Sequence, residues 1–83
     1  MMLKKQTFPI GKIHVPVKRV KTLDPAKVAD IAQSMLETGQ TTPISVRVDG
    51  ARFVLVEGLH RLEALKALGE QTVDAYLVQA RLH

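Results

Sequence analysis

The sequence contains no cysteine. Disulfides, cysteine-bound metals and thiol chemistry are excluded together. A secreted domain this small usually needs such staples, so their absence fits a reducing compartment. Aromatic residues are nearly missing too: Phe8, Phe53 and Tyr76 are the whole set. The core must therefore be built from Leu, Ile, Val, Ala and Met, and no series of rings is on hand to stack bases. No run approaches the roughly 18 apolar residues of a membrane-spanning helix. Met1 and Met2 are followed by Lys4 and Lys5 without an apolar stretch behind them, so no signal peptide is expected. The expectation is a cytoplasmic protein with no membrane partner.

Acidic residues are absent from the first 23 positions. Lys4, Lys5, Lys12, Lys18, Arg19 and Lys21 all precede Asp24, which gives this segment +6 and leaves −2 on the other 60 residues. Such a segment either attracts nucleic acid or nucleotide phosphates, or is a solvated face that keeps the chain soluble. With 83 residues there is room for one domain, residues 1–83, with no repeat, linker or low-complexity tract. A domain of that size buries only about 60–65% of its unfolded surface, so its core is thin.

Residues 1–7 read as a loose tail. Phe8, Ile10, Ile13, Val15 and Val17 alternate loosely with polar residues, as in an edge strand interrupted by Pro9, Gly11 and Pro16. Asp24 is a good N-cap and Pro25 suits the first helical position. Val28, Ile31, Ala32, Met35 and Leu36 then form one apolar stripe, and Gly39 closes a helix near Pro25–Thr38. Ile44 to Val48 alternates strictly, as a half-buried strand does. Asp49-Gly50 signals a hairpin, and the apolar Arg52–Val56 returns as a central strand covered on both faces. A second helix runs near Leu59–Leu68, stopped by Gly69, and Thr72–Val78 is a last strand. The fold class is α+β, ordered β-α-β-β-α-β, with two helices on a small mixed sheet.

The step from strand to helix at Val54–Leu65 carries the chemistry. Unpaired N–H groups and a partial positive charge make a helix start a ready anion site. Gly58 allows close approach to the backbone. His60 and Arg61 add donors there, and arginine grips a phosphate with two parallel bonds. Lys27, in the first turn of the earlier helix, opposes the helix dipole, which makes more sense beside a bound anion. The plainer reading is an ordinary helix start with solvent-facing side chains. His14, His60 and His83 lack the spacing of a zinc site, and no serine has a recognisable His and Asp partner.

Four segments carry a resemblance: Ile13-His14-Val15-Pro16, Leu23-Asp24-Pro25-Ala26-Lys27-Val28, Pro43-Ile44-Ser45-Val46 and Gly58-Leu59-His60-Arg61. In this order they resemble landmarks of sulfiredoxin and of the N-terminal domain of ParB, from Phe8 to Gln79. The resemblance implies a ParB/sulfiredoxin-like fold that binds ATP or another nucleoside triphosphate. It places Lys27, His60 and Arg61 on the phosphates, with Gly58 and Leu59 in the turn and Ser34 near the phosphate or ribose. Asp30 departs from the small hydroxyl that sulfiredoxin carries at its position. Leu59 stands where sulfiredoxin has its catalytic cysteine, so no sulfinic-acid reductase activity is expected. The Gly-Glu-Arg-Arg signature of ParB is Gly-Leu-His-Arg here, and no helix-turn-helix follows, so sequence-specific DNA recognition is not expected.

Two functions follow from these residues. One is nucleotide binding with turnover, as a nucleotide hydrolase or a weak ParB-like nuclease. The other is a non-catalytic module associated with DNA or with a protein partner. For turnover the candidate is Glu57, which ends a buried strand beside the phosphate turn. A carboxylate there would repel a triphosphate unless a metal lies between, and Mg2+ prefers one or two carboxylates plus phosphate oxygens. Asp30 is the candidate second ligand. The plainer reading has Glu57 facing solvent or paired with Arg61. Partners are then a nucleotide, non-specific DNA bound through phosphates, and a second copy in a homodimer, though the sequence does not decide the oligomeric state.

Overall fold

Prolines punctuate the N-terminal third, and the backbone changes course at each of them. The computed structural model describes residues 4–39 and 42–78. Strand β1 (Lys5–Pro9) ends on Pro9 and is followed by a 3-10 turn (Ile10–Lys12) and a two-residue strand, β2 (Ile13–His14). Pro16 is the N-cap of a one-turn helix, α1 (Val17–Val20). The single interrupted strand expected over this stretch is thus three separate pieces and a helix. The loose tail expected over residues 1–7 also needs correction. Lys5, Gln6 and Thr7 pair with Tyr76, Ala75 and Asp74 of the last strand, while residues 1–3 lie outside the described residues. Edge strands tolerate lysine and other polar side chains, so β1 looks like a tail in sequence.

Helix α2 (Pro25–Thr38) starts and stops as its caps dictate. The Asp24 side chain accepts from the Ala26 N–H at 3.0 Å, and Gly39 closes the helix with φ of 70°. Met35 is buried, and Val28, Ile31 and Ala32 pack against the core. Leu36 does not join them and is 67% exposed. At 100° per residue it lies about 90° from the centre of that stripe, on the helix flank.

Strands β3 (Ile44–Asp49) and β4 (Arg52–Glu57) form the expected hairpin, with Asp49 paired to Arg52 across Gly50-Ala51. Gly50 has φ of 62° and Ala51 stays out of positive φ, the pattern of a type II′ turn. Helix α3 (Leu59–Ala67) ends one residue earlier than expected, and β5 (Thr72–Leu77) completes the sheet. The strand order is β1-β5-β3-β4-β2. β1 and β5 are antiparallel, β5 and β3 parallel, β3 and β4 antiparallel, and β4 and β2 parallel. The middle strand is therefore β3, not β4. Consecutive burial of Val54 and Leu55 does show β4 covered on both faces at its centre.

Register places Phe8, Val73, Ala75, Ile44, Val46 and Leu55 on one face of the sheet. Leu59, Leu62, Ala64 and Leu65 of α3 and Met35 of α2 complete one apolar cluster with them. Fully burying a leucine contributes about 1.5–3 kcal/mol, so Leu62, at 0% exposure, is a main anchor of α3. The cluster fixes the direction of α3 and hence where its N-terminus opens.

Candidate functional site

Gly58 sets the geometry at the start of α3. Its φ is 106°, a region open essentially to glycine alone. A Cβ built there would meet Ile44 Cγ2 at 2.5 Å, Ile44 Cβ at 2.8 Å and Ile44 Cα at 3.3 Å. The space above Gly58 is thus filled by β3. Glycine lets the turn pack against the sheet, which is a different reason from the ligand approach expected from sequence.

The helix that follows has no side-chain cap. Leu62 N–H donates to Gly58 O at 2.9 Å, the first backbone bond of the helix. The N–H groups of Leu59, His60 and Arg61 precede that bond and lie at the positive end of the helix. Leu59 turns its side chain into the core at 5% exposure, so it can offer a ligand only its N–H.

His60 does something the sequence did not announce. Its Nε2 accepts from the Asp24 backbone N–H at 3.0 Å. This bond joins the first turn of α3 to the N-cap of α2, three residues before Lys27. Because Nε2 is the acceptor, the proton of the neutral ring sits on Nδ1, which remains a donor. Two helix N-termini therefore abut, and both present positive partial charge to the same neighbourhood.

Arg61 is half-buried, and its Nη1 donates to Pro43 O at 3.3 Å. It lines a pocket of about 180 Å³ with Ile31, Ser34, Met35 and Thr42. The structure thus brings Ser34 and Arg61 to the lining of one pocket. Lys27, Asp30 and Ser34 follow at helical spacing along α2, and all three are exposed. Among the described residues the ion pairs are Lys5–Asp74, Arg52–Asp49 and Lys66–Glu63, so Lys27 and Arg61 face no carboxylate partner.

Glu57 is exposed at the end of β4, opposite Ser45, and it forms no ion pair with Arg61. No group of three or more His, Asp or Glu side chains is placed to hold a metal among the described residues. A self-sufficient protein metal cage is therefore absent there.

Residues missed from sequence are Arg19, Thr42 and the Pro43 carbonyl. Arg19 Nη1 donates to Val56 O at 2.7 Å, holding the end of β4 just before Glu57-Gly58. Only the folded chain brings these groups, 37 positions apart, together. Among the described residues no helix is long and apolar enough to cross a membrane.

The chain can now be set beside known proteins. The family profile described as ParB N-terminal domain matches residues 3–82. A probable chromosome-partitioning protein ParB of Campylobacter jejuni is 34% identical over 62 residues, covering 75% of this chain and 22% of that protein. The chloroplastic/mitochondrial sulfiredoxin of Arabidopsis thaliana is 36% identical over 67 residues, covering 80% of this chain and 53% of that protein. Its crystal structure superposes with a TM-score of 0.80 at 27% identity, over 93% of this chain and 86% of that one. A C-terminally truncated ParB of Caulobacter crescentus complexed with CTP-γ-S shares the fold, with a TM-score of 0.74 and 23% identity over 96% of this chain and 46% of that one. The chain spans about a fifth of the Campylobacter relative and about half of the Arabidopsis one.

Proposed function

The chain belongs to the ParB N-terminal domain family, and on that premise we propose that it binds the phosphates of ATP or another nucleoside triphosphate where α2 and α3 begin. The observation that carries this reading is the bond between the Asp24 N–H and His60 Nε2, which joins two helix N-termini beside Lys27. In this reading Arg61 forks onto phosphate oxygens, and the Nδ1–H of His60 and the ammonium of Lys27 add charge-assisted donors. The N–H groups of Leu59 and His60 line the turn, and Ser34 holds a phosphate or ribose oxygen.

The test is a melting screen with ATP, CTP and GTP, each with Mg2+. CTP is included because the Caulobacter ParB structure carries CTP-γ-S. A ligand at a hundred times its Kd that binds only the native state contributes about 2.7 kcal/mol. For a domain of this size that raises Tm by roughly 10 °C or more. No shift with any of the three at millimolar concentration sinks the reading.

Turnover is assigned to Glu57, with Asp30 as the second carboxylate that would help to hold Mg2+. The ion, when bound, would neutralise phosphate charge and polarise a phosphoryl oxygen. Glu57→Gln should abolish magnesium-dependent binding or hydrolysis and leave Tm within about 2 °C, as exposed substitutions usually do. Should the variant match wild type both with magnesium and with a chelator, Glu57 has no metal role.

A further inference from the structure

Asp24 caps α2 with two of its acceptors. Its Oδ1 accepts from the Ala26 N–H at 3.0 Å, and its carbonyl oxygen accepts from the Val28 N–H at 3.1 Å. The group left over is the N–H of Asp24 itself. In a capping box that donor goes to a glutamate or glutamine at the third helical position. In α2 the third position is Lys27, whose ammonium only donates. The helix therefore carries no acceptor there for the N–H of its own N-cap.

His60 supplies that acceptor from another helix. Its Nε2 takes the Asp24 N–H at 3.0 Å, across 36 positions of sequence. The imidazole is half-buried in the first turn of α3, so the same bond fixes the spacing of two helix starts. Only an unprotonated Nε2 can accept, which makes this a task for a neutral ring. A glutamate in place of Lys27 would close the box locally. It would also set a carboxylate beside the start of α3, where Lys27 now adds a positive charge.

We propose that His60 is a positioning residue: it closes the capping box of α2 from α3, and so frees the third position of α2 for a lysine. His60 and Lys27 then act as a unit, coupled through the Asp24 N–H. One supplies the acceptor, and the other is released from supplying it. Arginine in place of His60 would add charge to the junction yet remove the acceptor, and α2 would lose this tie to α3. The use of Lys27 on phosphates rests on the nucleotide reading above. The closure of the cap does not.

A double-mutant cycle on the nucleotide-free chain tests the cap by thermal melting. His60→Ala should lower Tm by about 5 °C, the loss of one hydrogen bond in a domain of this size. Lys27→Gln restores an acceptor at the third position of α2. In that background His60→Ala should cost about 2 °C or less. Equal losses in the two backgrounds overturn the proposal. Long-range proton–nitrogen correlation spectra of the wild-type chain should show Nε2 of His60 unprotonated, and a proton on that nitrogen overturns it too. Calorimetry with ATP, CTP and GTP, each with Mg2+, tests the link to the site. His60→Gln keeps an acceptor at similar reach and should bind within about twofold of wild type. His60→Arg should bind roughly fivefold more weakly, despite its added charge. Tighter binding by His60→Arg than by wild type makes His60 a phosphate contact and overturns the positioning role. A chain that shows the expected cycle and binds none of the three keeps the cap and loses the nucleotide reading.

Discussion

Gly58→Ala is expected to destabilise the domain by about 3 kcal/mol and to lower Tm by roughly 15 °C. Two terms add. Alanine at φ of 106° is strained by about 1–3 kcal/mol. Its methyl group must also displace Ile44, and overpacking of this kind costs about 1–3 kcal/mol. Shrinking Ile44 would give little relief. Truncation to alanine removes Cγ2 but leaves Cβ at 2.8 Å and Cα at 3.3 Å from the new methyl. Gly50→Ala is the matched comparison, because Gly50 has positive φ and open space around it. It carries the strain term alone and should cost about a third as much. Circular-dichroism melts of the two variants check this, and equal shifts would mean that the approach of Ile44 contributes nothing.

Arg61→Ala should weaken nucleotide binding tenfold or more. A charge-assisted bond is worth about 1.5–3 kcal/mol, and each 1.4 kcal/mol is tenfold in affinity. The bond from Nη1 to Pro43 O is lost as well, at a cost of about 1 kcal/mol to the fold. Arg61→Lys separates the two roles. Lysine keeps the charge but lacks the planar fork, so it should recover part of the affinity and little of the tie to Pro43. Calorimetry that finds equal affinity for wild type and Arg61→Ala removes Arg61 from the site.

Where local chemistry decides the structure, the sequence is readable. Asp24, Pro25 and Gly39 mark both ends of α2 because capping is settled within a few residues. Asp49-Gly50 marks the hairpin, although the two-residue loop is Gly50-Ala51 and Asp49 stays in its strand. Helix α1 escapes notice because four residues are too few to show a period of 3.6. Strand β1 escapes because its identity comes from a partner about 67 positions away. The candidate site divides in the same way. Gly58, His60 and Arg61 are visible as a helix start, whereas the use of His60 as an acceptor for Asp24 depends on how two helices pack.

The placement of β1 beside β5 bears on how the chain comes to be folded. Thr7 Oγ1 donates to Asp74 Oδ1 at 3.0 Å across 67 positions, and the backbone pairing spans the same distance. Helix α2 and the β3–β4 hairpin can form as soon as they leave the ribosome, since their contacts are close in sequence. Strand β1 is made first and then waits for β5. Val73 and Ala75 cannot enter the core until β5 docks beside β3. Until then Phe8 and Ile10 lack the cover that β5 brings. Closing so long a loop is also slow, because its entropy is lost before the contacts repay it. The lysine and the proline of β1 would then protect the nascent chain from pairing with its neighbours in the meantime.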